Sequence, residues 1–310
     1  MMTGRLYIDG YDAYEAFGIY VIDGGYNELI AMPPLKEVEY NDWQEEDGIE
    51  ADLSDPQLNT REVTIKFCSQ RLLSGFIAFI ELLSQQSYHD FECRSIERKY
   101  KLRLTSQPSI ENIVDFGSIG LKFADDFPHK GYEYLPPNSP LKANDDYTLD
   151  SVPLTNWGVR VLKGTLKEIL KTPAVKANLT RNIKTQPGAL YDGKCVTYKT
   201  KEVKVSCLMR AEALGELWRN FDALLYDLTR PGERVLEALD IAEEFPCYYK
   251  SCSVSSFIPT DKIWLEFALT FVFTHDFRIS DEPLLSTEDN LFVVLEDEDG
   301  GDYVTLKPDN

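Results

Sequence analysis

Three histidines, His89, His129 and His275, are the whole supply of imidazole in this chain, and each could serve as the base of a nucleophilic site given a serine or cysteine within reach. None stands beside such a nucleophile in sequence; His129 falls in a Pro- and Asn-rich stretch and the others at element ends, so all three read as structural. Cys247 and Cys252, in CYYKSC, could ligate a metal with Cys195 or Cys207. A structural zinc site shows two close ligand pairs, and the second pair is missing. Asp297-Glu298-Asp299-Gly300 resembles a calcium loop that lacks its closing bidentate glutamate and reads as a solvated hairpin tip. Asn178-Leu179-Thr180 fits a glycosylation acceptor, but no secretory signal accompanies it. No Walker or dinucleotide glycine pattern occurs, so no cofactor, metal or catalysis is expected.

Whatever the chain does must then come from its surfaces, which directs attention to the elements that build them. A length of 310 residues, 43% hydrophobic, suffices for a full core and about two domains. No apolar run approaches the roughly 20 residues of a membrane span, and the N-terminus MMTGRLYIDGYDAYE has no charged start followed by an apolar stretch. The expectation is cytoplasmic synthesis with no membrane partner. The six cysteines are too sparse for a disulfide framework and read as free thiols, several buried in strands. A net charge of -20 argues against phosphate-backbone binding, hence against sequence-specific nucleic-acid recognition. That charge is uneven: residues 1–140 carry -12, 141–280 carry +1 and 281–310 carry -9.

An internal repeat organises the rest. Sliding the sequence by 140 places Phe17-Gly18 on Trp157-Gly158, Val21 on Val161, Gly24 on Gly164, Pro33 on Pro173, Gly48 on Gly188, Asp52 on Asp192 and Glu62-Val63 on Glu202-Val203. The block ends in alternating strands, with Val63, Ile65 and Phe67 on one face in the first copy and Val203, Val205 and Cys207 in the second. A helix follows each. In the second copy Leu214, Leu217, Trp218, Phe221, Leu224, Leu225 and Leu228 recur at helical steps before Arg230-Pro231-Gly232 stops it. The first helix, LLSGFIAFIELLSQQ, is apolar on every side and is expected to be the more deeply buried. Two further strands follow, the last aligning at an offset of 144, IGLKFADDF from 119 on IWLEFALTF from 263.

The expected class is mainly β with one helix per repeat (α+β): repeats over 1–128 and 151–280, a Pro- and Asn-rich linker over 129–150, and an acidic C-terminal segment over 281–310. In that segment LFVVLEDEDGGDYVTLKP reads as a hairpin turning at Gly300-Gly301, either an arm or part of a sheet.

The first copy, from GYDAYEAFGIYV through the prolines at 33 and 34, the acidic loop WQEEDGIEADLSD and the strand REVTIKF, resembles the N-terminal domain of distal tail proteins of long-tailed phages. The second copy shares the likeness through the repeat. What this resemblance implies is two tandem tube-like β-sandwich domains, each with a flanking helix, whose inner sheets join neighbours into a ring around a channel. It also implies a role in assembly and passage rather than catalysis, and a place in the virion. The common distal tail plan has a carbohydrate-module-like second domain; a second tube-like unit instead brings in tail hub proteins, in which three two-domain chains imitate a sixfold ring. The implied partners are other tail proteins and further copies of the chain, in a trimer with pseudo-sixfold symmetry or a hexamer. A monomeric two-domain binding or adhesion module, possibly carbohydrate-directed, is the rival, with Trp43, Tyr248 and Tyr249 as the aromatics it would use.

Charge suggests where copies would meet. Residues 39–55 hold eight acids, among them Glu45, Glu46, Asp47, Glu50 and Asp52, and no base; positions 179–195 hold Arg181, Lys184 and Lys194 against Asp192 alone. Opposite charge at equivalent positions would steer first-copy units onto second-copy units. The alternatives are that both loops are solvated faces, or that some acids line a channel and repel passing DNA.

Overall fold

The structure is a computed structural model that describes residues 2–106, 117–142, 146–177, 180–191, 196–260, 262–275, 294–297 and 300–303. The first half forms β1 (Leu6–Ile8), β2 (Tyr11–Asp12), α1 (Ala13–Phe17), β3 (Ile19–Val21), α2 (Asn27–Ile30), a hairpin of β4 (Tyr40–Asn41) and β5 (Glu50–Ala51), β6 (Arg61–Ser69), α3 (Leu72–Leu83), β7 (His89–Cys93), β8 (Arg98–Ser106) and β9 (Ser118–Asp125). The second half repeats this series: β10 (Tyr147–Leu149), β11 (Val152–Pro153), a 3-10 turn over Leu154–Trp157 in place of α1, β12 (Val159–Val161), α4 (Thr165–Ile169), a hairpin of β13 (Thr180–Asn182) and β14 (Ala189–Tyr191), β15 (Lys201–Ala211), α5 (Leu214–Leu228), β16 (Arg234–Ala238), β17 (Glu243–Ile258) and β18 (Ile263–Phe273).

Each half builds one seven-stranded antiparallel sheet, ordered β2-β1-β7-β8-β9-β6-β3 and β11-β10-β16-β17-β18-β15-β12, which is the same topology twice. The protein is therefore mainly β, with the alternating strands that the sequence pattern requires. Val63, Ile65 and Phe67 bury one face of the first sheet, as Val203, Val205 and Cys207 do in the second, and one hydrophobic cluster runs through both halves. Gly18 and Gly158 close their helical turns at φ +70° and +75°, a left-handed conformation that glycine adopts without strain.

Pairing registers correct the expected alignment of the last strand. Phe67 pairs with Ile119 and its counterpart Cys207 with Phe267, so β9 and β18 are offset by 148 residues, not 144. A four-residue slip preserves the period-two alternation, so the hydrophobic pattern alone fits both registers. The repeat also begins earlier than the sequence match. Hairpin β1–β2 turns through Asp9 and Gly10 at φ 50° and 85°, and β10–β11 turns through Asp150 and Ser151 at φ 51° and 64°. Strand β10 lies in the segment read as linker and already belongs to the second sheet.

Helix burial is the reverse of expectation. Only one side of α3 packs on its sheet, through Phe76, Phe79 and Leu83, while Leu73 and Ile77 face solvent. The longer α5 is covered on its outer side as well, by Tyr134 against Tyr226, by Arg219 Nε donating to Pro136 O and by Asn138 N donating to Asn220 Oδ1. At the C-terminus β19 (Val294–Asp297) and β20 (Gly300–Tyr303) form a two-stranded sheet of their own. Asp297 pairs with Gly300, which puts Gly300 and Gly301 in the strand rather than at the turn.

Polar staples differ between the copies where the backbone does not. Arg61 pairs with Asp125 at 2.9 Å across β6 and β9; at the matching position Lys201 stands opposite Phe273 and donates to Ile169 O. Burial lowers the Lys201 pKa to about 8, against a weaker opposite effect of Glu168. Between that value and the ordinary 10.5 the unfolded chain binds the extra proton, so this residue's contribution to stability rises with pH through that window. Comparing wild type with Lys201→Met, thermal melts should favour the wild type by an additional amount of about 1–2 kcal/mol at pH 10 relative to pH 7. A pH-independent difference would show that the ammonium is not desolvated.

Candidate assembly interface

The two halves meet through an arm. An isolated bridge, Leu35 to Leu58, leads into hairpin β4–β5; the matching bridge, Val175 to Tyr198, leads into β13–β14. Instead of folding back on its own sheet, the first hairpin lies over the second bridge. Gly48 N donates to Tyr198 O at 2.8 Å, Ile49 N to Thr274 O at 2.7 Å and Thr197 Oγ1 to Gln44 O at 2.9 Å. Asp47 Oδ1 accepts from Tyr198 N at 2.7 Å.

Lys176 sits beneath this arm, 3% exposed. Its ammonium donates to the carbonyls of Trp43 and Gly48, both at 2.7 Å, and lies 2.6 Å from Asp42 Oδ1. An ammonium withdrawn from water costs several kcal/mol unless its three N–H groups find acceptors, and the hairpin supplies three.

Further contacts cross between the halves. Leu35 N donates to Lys250 O at 3.0 Å, and the buried Tyr249 hydroxyl donates to Pro33 O at 3.0 Å. Trp218 Nε1 on α5 donates to Ile96 O at 2.7 Å. Arg98 grips Asp222 with two bonds of 2.9 and 2.6 Å and lies 4.3 Å from the Trp218 ring. Burial works to raise the Asp222 pKa, but hydrogen bonds from His129 and Arg98 outweigh it and hold the carboxyl below its usual range. The first half thus presents α2, its hairpin and residues 96–98, whereas the second presents β17, its bridge and α5. Different surfaces of equivalent units are in contact, a head-to-tail arrangement.

Of the acids singled out by sequence, Asp47 lies in this contact, while Glu45 and Glu46 are exposed near the hairpin end. Glu50 accepts from Trp43 Nε1 and Asn41 Nδ2 within its own hairpin, and hydrogen bonds from the Ser54 side chain and backbone hold Asp52 below the usual carboxylate range. Arg181 and Lys184 are exposed on β13–β14, with no ion pair to the acidic hairpin among the described residues; Lys194 lies outside them. The base that meets the acids is Lys176, which sequence reasoning missed. The signal was available, since Lys36 and Lys176 are identical residues 140 apart.

The other candidates fall into structural places. Asp9 Oδ2 lies 2.6 Å from His89 Nδ1 while Asp9 Oδ1 accepts from Asp90 N; in the second half Asp150 holds Arg234 Nη1 and Val235 N in the same way. His89 therefore occupies a staple position that arginine fills equally well. His275 is near Glu233, 3.7 Å away. Cys68, Cys93, Cys207 and Cys247 are buried free thiols and Cys252 is half-buried; burial pushes Cys93 and Cys252 up to about 12. Cys195, Asn178, Glu298 and Asp299 lie outside the described residues. No cluster of three or more His, Cys, Asp or Glu suited to a metal occurs among the described residues, and no helix there is long and apolar enough to cross a membrane.

Fold and junction together define a duplicated sheet protein whose halves bind head to tail. Part of the chain is similar to the solved structure of the Dit protein of phage SPP1, described as a paradigm of the hub adsorption apparatus of phages infecting Gram-positive bacteria. The likeness covers 41% of this chain and 49% of that one, about half its length, at 15% identity and a TM-score of 0.29. No family model and no curated protein matches the chain.

Replacing Lys176 with Met removes the charge that the hairpin surrounds and should destabilise the arm by about 2–3 kcal/mol. Hydrogen exchange should then accelerate at Gly48 and Ile49, whose amides bond across the junction, while β6 and β15 keep their protection. Unchanged exchange at those two amides would show that the arm docks without the lysine.

Proposed function

We propose that the chain is a structural, non-enzymatic component of a phage tail or related injection apparatus, a distal tail, hub or tube-like protein that forms a ring around a channel. In this reading 1–128 and 151–280, the second extended back to take in β10, are tube-like β-sandwich domains, the rest of 129–150 joins them and 281–310 is an acidic appendage. One observation carries it: the first half docks on the second through non-equivalent surfaces, leaving one surface of each kind to a neighbour. Contacts of this type close into rings, and two units per chain let three chains supply six positions. The sequence resemblance of the first copy to distal tail proteins supplies the kind of ring. Of the aromatics a carbohydrate-binding rival would use, Tyr249 is fully buried at the junction and Tyr248 is half-buried; Trp43, 52% exposed with its Nε1 on the Glu50 carboxylate, is the one that fits such a surface.

Antibodies against the chain should label the tails of purified particles, and peptide mass spectrometry should find it there. Intact tails without the chain overturn the tail role. Glu45, Glu46 and Asp47 are proposed to steer assembly with Arg181, Lys184 and Lys194. Reversing the exposed Glu45 and Glu46 to Lys, with Asp47 kept for its bond to Tyr198 N, should then lower ring yield in native mass spectrometry, and unchanged assembly at physiological salt removes the steering role.

A further inference from the structure

The junction inside one chain is a template for contact between chains, because each half leaves uncovered the positions that the other half has covered. On the side that the first half presents, Ile30 and Leu35 are 4% and 9% exposed against the second half. Their counterparts 140 residues on, Leu170 and Val175, are 43% and 51% exposed. On the receiving side, Trp218 is 6% exposed and the Asp222 side chain 14%. Counted back from the matching helix caps Ser84 and Thr229, their places on α3 are taken by Leu73 and Ile77, at 46% and 51%. Lys176 and Thr197 are buried beneath the first hairpin, whereas Lys36 and Gln57, the same positions in the first half, are exposed.

We infer that a second copy of this chain covers these residues. The second half's α4 end, Val175 and hairpin β13–β14 dock on the first half of the next copy, over Lys36, Gln57 and α3. Backbone geometry is ready for it: Gly188 at φ +81° repeats Gly48 at φ +70°, so the carbonyls of Ile183 and Gly188 occupy the places of the two that hold Lys176. These would receive the Lys36 ammonium. Charge is complementary in the inverse sense to the internal junction. Within the chain an acidic hairpin meets a bridge flanked by Lys199; between chains a hairpin bearing Arg181 and Lys184 meets a bridge flanked by Glu37 and Asp55. Leu73 with Ile77 and Leu170 with Val175 place two exposed apolar side chains on each of the complementary faces. The inference deepens the ring reading and rests on it only for closure, since an open chain of copies would use the same contact.

Val175→Asp spoils the presenting face and Ile77→Asp the receiving face; both positions are exposed in the single chain, so melts should match wild type. Sedimentation velocity over a concentration series should show wild type assembling and each variant weakened by at least roughly tenfold. An equimolar mixture of the two variants retains one good face on each partner and should stop at a dimer, which a self-matching interface would not do. Lys36→Glu serves as a second receiving-face variant if Ile77→Asp misfolds. Wild type monomeric at every concentration, both variants assembling normally, or a mixture with no dimer overturns the inference. Tails that contain the chain while both variants assemble normally sink this contact and leave the tail role standing.

Discussion

The ammonium of Lys176 fixes how the two halves of this chain meet. Buried beneath the first hairpin, it is tolerable only with acceptors on all sides, and it draws them from the Trp43 and Gly48 carbonyls and the Asp42 carboxylate. Satisfying it positions the whole arm: once the carbonyls of the β4–β5 loop point at Lys176, the Gly48 and Ile49 amides fall opposite Tyr198 O and Thr274 O. The hydrogen bond from Leu35 to Lys250 and the Arg98–Asp222 grip extend the same seam. An apolar side chain at this position would remove the electrostatic requirement for that docking.

Beneath the seam, topology is repeated while the fastenings are exchanged. Asp9 with His89 becomes Asp150 with Arg234, and Arg61 with Asp125 becomes Lys201 with a backbone carbonyl. Strand order depends on which faces are apolar, and that pattern survives the exchanges; each staple need only satisfy one buried polar group locally. Duplication of this kind lets each half keep its fold while its outer surfaces diverge in charge.

Much of this was legible in the sequence. The 140-residue offset, the alternation of Val63, Ile65 and Phe67 and the helical spacing of α5 all follow from side-chain periods that a strand or helix imposes. Three features were not legible in the same way. The last strand was misaligned by four residues because two registers share one alternation. Hairpin β1–β2 carries a strong turn signal in Asp9-Gly10, but its copy replaces the glycine with Ser151, so matching the two halves does not reveal it. And α3, apolar all round, was expected to be the deeper helix; an all-apolar sequence states that a face can be buried, not that a partner exists to cover it.

By itself the sequence determined the duplicated, mainly β architecture and the opposite charge of the two hairpins, since both are properties of residue type along the chain. Only the tertiary structure decided which hairpin is used within the molecule and which basic residue it meets. Arg181, Lys184 and Lys194 carry the charge, but Lys176 does the holding. The reason is that an ion pair's worth depends on burial and on neighbouring carbonyls, and neither exists until residues more than a hundred positions apart are brought into contact.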